Sequence, residues 1–239
     1  MVRKEKRGMT VHFTYGCDPE LFLKLGDRYI SAHGLFPGTK EEPYQVDKGA
    51  IQVDGLALEF NIHPVDNPVD WNKNIEIVLT QMKEMVTNVD KDLQLVFEPI
   101  AYFDKQYFEE VPIVAKVLGC DPDFNFRGEM NPSPKIAKKP FRTAAGHIHA
   151  GWGEGFNTKD SGHFEDCRFV AAKFYRAGVF PAVTFNEQSR LEYYGNYGAF
   201  RPKPYGVELR SPSNLWVKDA ESRLKMFSKV HTKMLELEA

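Results

Sequence analysis

Alternating apolar and polar residues predict several strands in the first quarter of the chain. Val11, Phe13 and Tyr15 alternate with polar neighbours, which is the pattern of a half-buried strand. Further strand-like segments lie at Leu21–Leu25, about Tyr29–Ala32 and Ile51–Ile62. Glycines and prolines occur throughout residues 33–48, so this segment is expected to be a loop.

The apolar spacing changes to a helical period at residue 68. Apolar residues at three- and four-residue steps predict a helix over 68–89, and Asn67 and Pro68 supply a cap and a first turn. Leu93–Phe103 is expected to be a strand whose end lies near a sheet edge, because Pro99 cannot donate a ladder hydrogen bond. The remaining predictions are a short helix at 105–117, an irregular segment at 119–140, a strand at Phe141–Trp152, a helix at about 163–178, an irregular Tyr/Gly-rich stretch, a strand at Tyr205–Ser211 and a helix at about 219–237.

These elements predict an α+β fold. Strands and helices do not alternate regularly enough for a doubly wound parallel sheet, so an antiparallel or mixed sheet with helices packed on one face is expected. A polar tail at 1–9 and a single domain at 10–239 are the predicted organisation.

The composition excludes several classes of partner. The 239 residues carry a formal net charge of -2, which gives no bulk attraction to nucleic acid or to an anionic membrane. No apolar run reaches the roughly 18 residues of a membrane span, and the first residues lack a secretory hydrophobic stretch. The three cysteines are far apart and odd in number, so a disulfide framework is not expected. A cytoplasmic location is therefore predicted.

Carboxylates lie on two of the strand-like segments. Asp18 and Glu20 are two residues apart, so on an extended chain both leave the same face. The alternative for this segment is a turn, since Asp-Pro often begins one. Glu59 and Asn61 also share one face of an otherwise apolar strand, where a charge needs a partner or solvent. A solvated outer face is the alternative there.

A His-x-His pair between glycines is the sharpest signal. His147 and His149 point the same way on a strand, and neutral imidazole is a common metal ligand. Glu208 and Arg210 share a face near the end of the chain, where an in-sheet salt pair is the alternative. Carboxylates suit Mg²⁺ or Mn²⁺, and arginines near such ions suit a transferring phosphoryl group. Neither standard glycine-rich nucleotide motif is present in the sequence.

In their order along the chain these motifs resemble a known superfamily. Asp18-Pro-Glu20, Leu-Glu59-Phe-Asn61, Gly-His147-Ile-His149 and Glu208-Leu-Arg210 resemble the glutamine synthetase/glutamate–cysteine ligase superfamily. The similarity is closest to the phage-type carboxylate–amine ligases, also called type 2 amidoligases, and runs from about Tyr15 to Trp216. Each motif alone is weak, whereas their order and spacing together are specific.

The resemblance implies a function and a set of roles. A glutamine synthetase-like antiparallel sheet would hold two or more Mg²⁺ or Mn²⁺ ions between ATP and a carboxylate, and the enzyme would join that carboxylate to an amine through an acyl phosphate. The substrates would be small molecules or peptides, and a phage-encoded chain would act in the host cytoplasm. The implied metal ligands are Asp18, Glu20, Glu59, His147 and Glu208. The implied phosphate contacts are His149, Arg190, Arg201 and Arg210, with Asn61 near the nucleotide, the substrate or the metal.

The sequence leaves other interpretations open. Asp18 departs from the pattern of the superfamily, because the acidic metal ligands of the large synthetases are mostly glutamates. His147 and His149 followed by Glu154 also resemble the first motif of cupins, which are metal-dependent oxygenases or isomerases. A non-catalytic nucleotide- or peptide-binding protein of the same fold is a further alternative. Asp121 and Asn125 are expected on a loop within 119–140 that covers the site.

Overall fold

The computed structural model describes residues 11–116, 123–132, 138–180, 188–196 and 198–238. The strands are β1 Thr14–Leu25, β2 Arg28–Ile30, β3 Tyr44–Val46, β4 Gly49–Asp54, β5 Ala57–Ile62, β6 Leu93–Val96, β7 Ile100–Tyr102, β8 Phe141–Thr143, β9 Gly146–Gly151, β10 Phe200–Lys203 and β11 Gly206–Leu209. The α-helices are α1 Pro68–Val89, α2 Lys105–Glu110, α3 Ile113–Lys116, α4 Ser161–Arg176, α5 Gln188–Leu191 and α6 Ala220–Glu238, and a 3₁₀ helix covers Asn214–Val217.

One antiparallel sheet forms the centre of the fold. Among the described residues, nine strands belong to it, in the order β10-β11-β9-β1-β5-β4-β3, and β2 and β6 both pair with β1. The twelve-residue β1 is long enough to pair with β9 through its first half and with β2 and β6 through its last residues. Strands β7 and β8 form a separate antiparallel pair. The predicted α+β class with an antiparallel sheet is confirmed.

The two faces of the sheet differ in chemistry because the side chains of a strand alternate. In β1, Tyr15, Cys17 and Leu21 lie in the apolar core, whereas Asp18 and Glu20 line a cavity on the other face. Helices α1, α4 and α6 cover the apolar face, and they contribute the buried side chains of Trp71, Ile75, Val78, Val170, Phe174, Phe227 and Val230. The helices therefore leave the polar face open to a ligand.

Helix α1 begins where the sequence predicts. The Asn67 side chain accepts a hydrogen bond of 2.9 Å from the backbone N–H of Asp70, and Pro68 lies in the first turn, where its missing N–H costs nothing. Trp71 then stacks on Trp216, with ring centroids 5.5 Å apart, and so links α1 to the 3₁₀ helix that follows β11.

Several predicted strands are shorter than expected. Ile51–Ile62 is a hairpin rather than one strand, because the chain reverses after Asp54 at Gly55, whose φ is +58°. Phe141–Trp152 divides into β8 and β9, which join different sheets. Leu93–Phe103 likewise divides into β6 and β7.

Other differences add elements to segments expected to be irregular. The loop at 33–48 contains β3, and the Tyr/Gly-rich stretch contains β10. The helix expected at 105–117 is two short helices separated at Pro112, which cannot donate to a helix that is already formed. The predicted tail at 1–9 lies outside the described residues. None of the described helices is both long enough and apolar enough to cross a bilayer.

Candidate functional site

A cavity of about 760 Å³ lies on the polar face of the sheet. Its floor consists of side chains from six adjacent strands, each at a position that points away from the helices. The residues that supply the polar floor are Thr14, Asp18, Glu20, Gln52, Asp54, Glu59, Asn61, His147, His149, Arg201, Lys203 and Glu208. The strand register therefore brings together residues that are up to 194 positions apart in the sequence.

Three carboxylates form the first group on this floor. Glu20 pairs directly with Glu59 across β1 and β5, and Asp54 follows at the end of β4. Oxygen atoms of the three residues lie within 4.8 Å of one another. Gln52, directly opposite Glu59 on β4, donates from Nε2 to Glu59 Oε1 at 2.8 Å and so orients that carboxylate. We call Glu20, Asp54 and Glu59 the carboxylate group.

Two histidines and two carboxylates form the second group. Asp18 is opposite His147, and His149 is opposite Glu208, so the four lie on three neighbouring strands. Asp18 Oδ1 is 3.2 Å from His147 Nδ1 and 3.1 Å from His149 Nε2. His147 Nδ1 is also 3.4 Å from Glu208 Oε1. We call these four residues the histidine group.

Two atoms of the histidine group that face each other are buried polar atoms of the kind that a cation could bind. Asp18 Oδ1 and His149 Nε2 are both buried, and neither has a hydrogen-bond partner within the part of the chain that the structure describes, although they are only 3.1 Å apart. Buried polar atoms normally find partners. Adjacent ligands of an octahedral ion with bonds of about 2.1 Å are separated by about 3 Å, which is the spacing seen here. The chemistry of the donor set therefore fits a divalent cation.

Burial and mutual repulsion perturb the carboxylate group. Burial, reinforced by the charge of Asp54, raises the pKa of Glu20 to about 8. Burial, with the charges of Asp18 and Asp54, raises the pKa of Glu59 well above its ordinary value. Both side chains therefore lose their protons less readily than an exposed glutamate does. A bound cation would favour the ionised form of both.

In the histidine group the carboxylate pKa values are lowered rather than raised. Burial opposes ionisation of Asp18, but its interactions with His149 and His147 hold its pKa well below the usual range. Burial also opposes ionisation of Glu208. The positive charge of Arg210 is the main reason that the pKa of Glu208 nevertheless lies well below the usual range. Burial, together with Arg210, lowers the pKa of His147, so its ring is neutral, as a metal ligand must be.

Three cations surround Glu208. Lys203 Nζ lies 2.8 Å from Glu208 Oε2 and Arg201 Nη1 lies 3.5 Å from the same oxygen. Arg210 donates to Glu208 Oε1 from Nη1 and to Asp123 Oδ2 from Nε, the latter at 2.9 Å. This wall of the cavity therefore carries more positive than negative charge, which suits an anionic ligand.

Arg190 does not take the role expected from the sequence. Its side chain is fully buried, it is absent from the cavity lining, and its guanidinium donates to the carbonyl oxygens of Ala144, Ser211 and Pro212 at 2.9–3.0 Å. Because this guanidinium is used by backbone carbonyls and does not line the cavity, the structure gives no support to the predicted phosphate contact of Arg190.

Most other predicted residues line the cavity. Asn61, Arg201 and Arg210 do so, as does Glu154. Glu154, however, belongs to neither ligand group among the described residues, and this weighs against the cupin alternative. The family resemblance implies a metal role for His147 and a phosphate role for His149, yet both face the same Asp18 oxygen. The geometry therefore makes both of them candidate metal ligands.

The expected covering loop is described only in part. Asp121 lies outside the described residues. Asn125 donates to Glu129 Oε2 and accepts from two backbone N–H groups of its own turn, and it does not line the cavity. Its neighbour Asp123 contacts Arg210 instead.

Several residues that contact the two ligand groups are not predicted from the sequence. Asp54 and Gln52 belong to a strand whose turn was missed, and Lys203 belongs to a strand that was not expected. Tyr194 and Tyr205 contact the two histidines. Gln52 and Asp54 alternate with apolar neighbours, and this pattern could have predicted that both face the cavity. No local pattern in the sequence predicts the positions of the two tyrosines.

Neither a scan against models of protein families nor a search of curated proteins finds a match for this chain.

Proposed function

We propose that the protein is an ATP-dependent carboxylate–amine ligase with a glutamine synthetase-like catalytic sheet. One observation carries the proposal. Two groups of ligand atoms lie side by side on one sheet face, within one cavity, and a wall of cations borders the second group. This arrangement suits phosphoryl transfer, in which the charge of the transferring group must be offset on several sides.

The two groups fit two divalent ions, which we propose to be Mg²⁺ or Mn²⁺. Carboxylate oxygens are the ligands that these ions prefer, and three carboxylates without a cation repel one another. When bound, the ions would offset the charge of the phosphates and polarise the phosphorus–oxygen bond that breaks. Asp54 joins the ligands that the sequence suggested.

The cationic wall would bind the polyphosphate of ATP. Arg201 and Lys203 lie on one strand and point into the same cavity. Both side chains contact Glu208, and these contacts orient them before a ligand binds. Arg210 would act mainly by holding Glu208 ionised, because its own charge is shared between Glu208 and Asp123.

The proposed reaction has two steps. An oxygen of the substrate carboxylate attacks the γ-phosphorus of ATP, and the bond to the bridging oxygen breaks to release ADP. The amine nitrogen then attacks the acyl carbon, phosphate leaves with the bonding electrons, and the amine loses a proton to give the amide. The cavity is within the range of 300–1,000 Å³ that binds ligands of this size.

The test is a search for acid-dependent ADP release. The protein would be incubated with ATP, Mg²⁺, hydroxylamine and a panel of carboxylic acids, and both ADP and hydroxamate would be measured. At least one acid should stimulate both products in the wild type, and Glu59→Gln should abolish the effect. Asp27→Asn is the matched control, because Asp27 is an exposed carboxylate in the β1–β2 turn.

The outcome separates the proposal from its alternative. A non-catalytic protein of the same fold would bind ATP without releasing ADP in the presence of every acid and amine. If the wild type releases no more ADP than Glu59→Gln across the panel, the ligase proposal is wrong.

A further inference from the structure

Two tyrosine hydroxyls contact the two histidines of the histidine group from outside it. Tyr194 Oη lies 3.0 Å from His147 Nε2, and Tyr205 Oη is within hydrogen-bonding distance of His149 Nδ1. The other ring nitrogens, Nδ1 of His147 and Nε2 of His149, both face Asp18 Oδ1. The two histidines therefore turn opposite ring nitrogens toward the same carboxylate.

The position of the ring proton decides which nitrogen can bind a cation. A neutral imidazole carries one proton, and only the unprotonated nitrogen has a lone pair to donate to a metal. The group that hydrogen-bonds the remaining nitrogen selects the tautomer and fixes the orientation of the ring. A tyrosine hydroxyl can serve this purpose because its oxygen accepts hydrogen bonds.

We propose that Tyr194 and Tyr205 are positioning residues that hold His147 and His149 in opposite tautomers, so that each ring presents an unprotonated nitrogen to one divalent ion beside Asp18. His147 would be protonated at Nε2 and His149 at Nδ1. This inference rests on the metal site of the proposed function, and it extends that site to two residues that are not themselves ligands.

The position of Tyr194 is fixed by two arginines. Arg210 donates from Nη2 to Tyr194 Oη, and its guanidinium carbon lies 5.5 Å from the centre of the ring. A hydroxyl oxygen has two lone pairs, so Tyr194 can accept from Arg210 and from an Nε2–H of His147 at the same time. Arg190 lies 5.7 Å from the same ring centre.

The packing of Gly195 against Arg190 holds the segment that carries Tyr194 next to His147. Gly195 has φ +74°, and a Cβ atom on it would lie 2.6–2.8 Å from the guanidinium of Arg190. Arg190 is itself tied to three backbone carbonyls. The buried arginine therefore supports the segment that carries Tyr194, which gives it a structural role close to the site.

Tyr205 is fixed by the turn between β10 and β11. Its carbonyl oxygen accepts from the backbone N–H of Trp152 at 2.9 Å, which ties the turn to the end of the strand that carries His149. Its ring stacks on the His149 ring with an interplanar angle of 17° and a centroid separation of 5.8 Å. Stacking and the hydroxyl contact together restrict both the plane and the tautomer of His149.

A third tyrosine–histidine pair in the same chain supplies the control. Tyr15 Oη lies 3.0 Å from His231 Nδ1, but this pair is on the helix-covered face of β1 and does not line the cavity. Tyr15→Phe therefore removes the same kind of hydrogen bond from the opposite face of the sheet. It should lower stability without altering the histidine group.

The experiment combines nuclear magnetic resonance with calorimetry on the full chain. Histidine-selective ¹⁵N labelling and long-range ¹H–¹⁵N spectra report the protonated nitrogen of each ring in the presence of Mg²⁺, and titration with Mn²⁺ reports affinity. The wild type should show His147 protonated at Nε2 and His149 at Nδ1. Tyr194→Phe should change the signature of His147, and Tyr205→Phe that of His149. Each should weaken Mn²⁺ binding roughly 10- to 100-fold.

The outcomes separate this inference from the ligase proposal. The same tautomer at both histidines in the wild type would overturn the inference, whether or not the variants fold. Unchanged spectra and Mn²⁺ affinity in the two cavity variants would overturn it as well, even if acid-dependent ADP release is found. Opposite tautomers that respond to the variants, without ADP release for any acid, would support the inference and overturn only the ligase proposal.

Discussion

Glu20 and Glu59 are direct cross-strand neighbours in the centre of the sheet, where Glu59 is buried and Glu20 is partly buried. Like charges at such positions destabilise a sheet. The pair is reinforced by Asp54, so the repulsion involves three carboxylates. A divalent cation bound between the three side chains would offset this repulsion, which supports the proposed metal site.

The first prediction concerns the stability of the metal-free protein. The pKa of Glu20 is about 8 in the folded state and near its ordinary value in the unfolded state, so the folded state binds the proton more tightly. This contribution to stability is full below the ordinary pKa and is lost as pH rises through about 8. Urea unfolding should therefore give a lower free energy at pH 8 than at pH 5.5.

The same experiment has an internal check. Adding Mn²⁺ at pH 8 should restore the lost stability, because a ligand that binds only the folded state stabilises it. Glu20→Gln should be less sensitive to pH when metal-free and should gain less from Mn²⁺. An unfolding free energy that is independent of both pH and Mn²⁺ would contradict the metal site.

The second prediction tests Asp54 as a metal ligand. Asp54→Asn keeps the shape of the side chain and removes its charge, so Mn²⁺ affinity at the carboxylate group should fall by at least about tenfold. Calorimetric titration of the wild type, Asp54→Asn and the surface control Asp27→Asn measures the effect. Equal affinities for all three proteins would show that Asp54 is not a ligand.

How far the sequence predicts this site depends on the range of the interactions that form it. Alternation within one strand is a local property, so the shared face of Asp18 and Glu20 and that of His147 and His149 were both predicted. That these two pairs adjoin depends on strand register, which pairs Asp18 with His147 and is set by the whole sheet.

The errors have physical causes too. An apolar run with β-branched residues looks the same whether it is one strand or a tight hairpin, and this concealed the turn at Gly55 and the placement of Asp54. The sequence cannot show which partner Arg190 has, because a buried arginine that binds carbonyl oxygens and one that binds phosphate have the same identity and similar neighbours in sequence. Only the packing separates them.

The third prediction contrasts two arginines. Arg190→Met should lower the unfolding free energy by about 3 kcal/mol or more, because it leaves buried carbonyl oxygens of Ala144, Ser211 and Pro212 without their donors. Arg201→Met should cost less stability but should lower acid-dependent ADP release about 100-fold, as expected when one donor to developing phosphate charge is lost. Chemical unfolding and steady-state kinetics on both variants separate the two roles. The reverse pattern would restore Arg190 to the site.

The fourth prediction is that the two ligand groups differ in metal preference. The carboxylate group offers only oxygen, whereas the histidine group adds imidazole nitrogen, which favours Mn²⁺ over Mg²⁺. Mg²⁺ should therefore compete with Mn²⁺ more effectively at the carboxylate group. Glu59→Gln isolates the histidine group, and His147→Ala isolates the carboxylate group, so Mn²⁺ titrations of the two variants in excess Mg²⁺ compare the sites directly. Glu59→Gln should retain Mn²⁺ at Mg²⁺ concentrations that displace it from His147→Ala. Equal displacement in the two variants would mean that the histidines do not bind the ion, and that the nitrogen atoms facing Asp18 serve only to hold its charge.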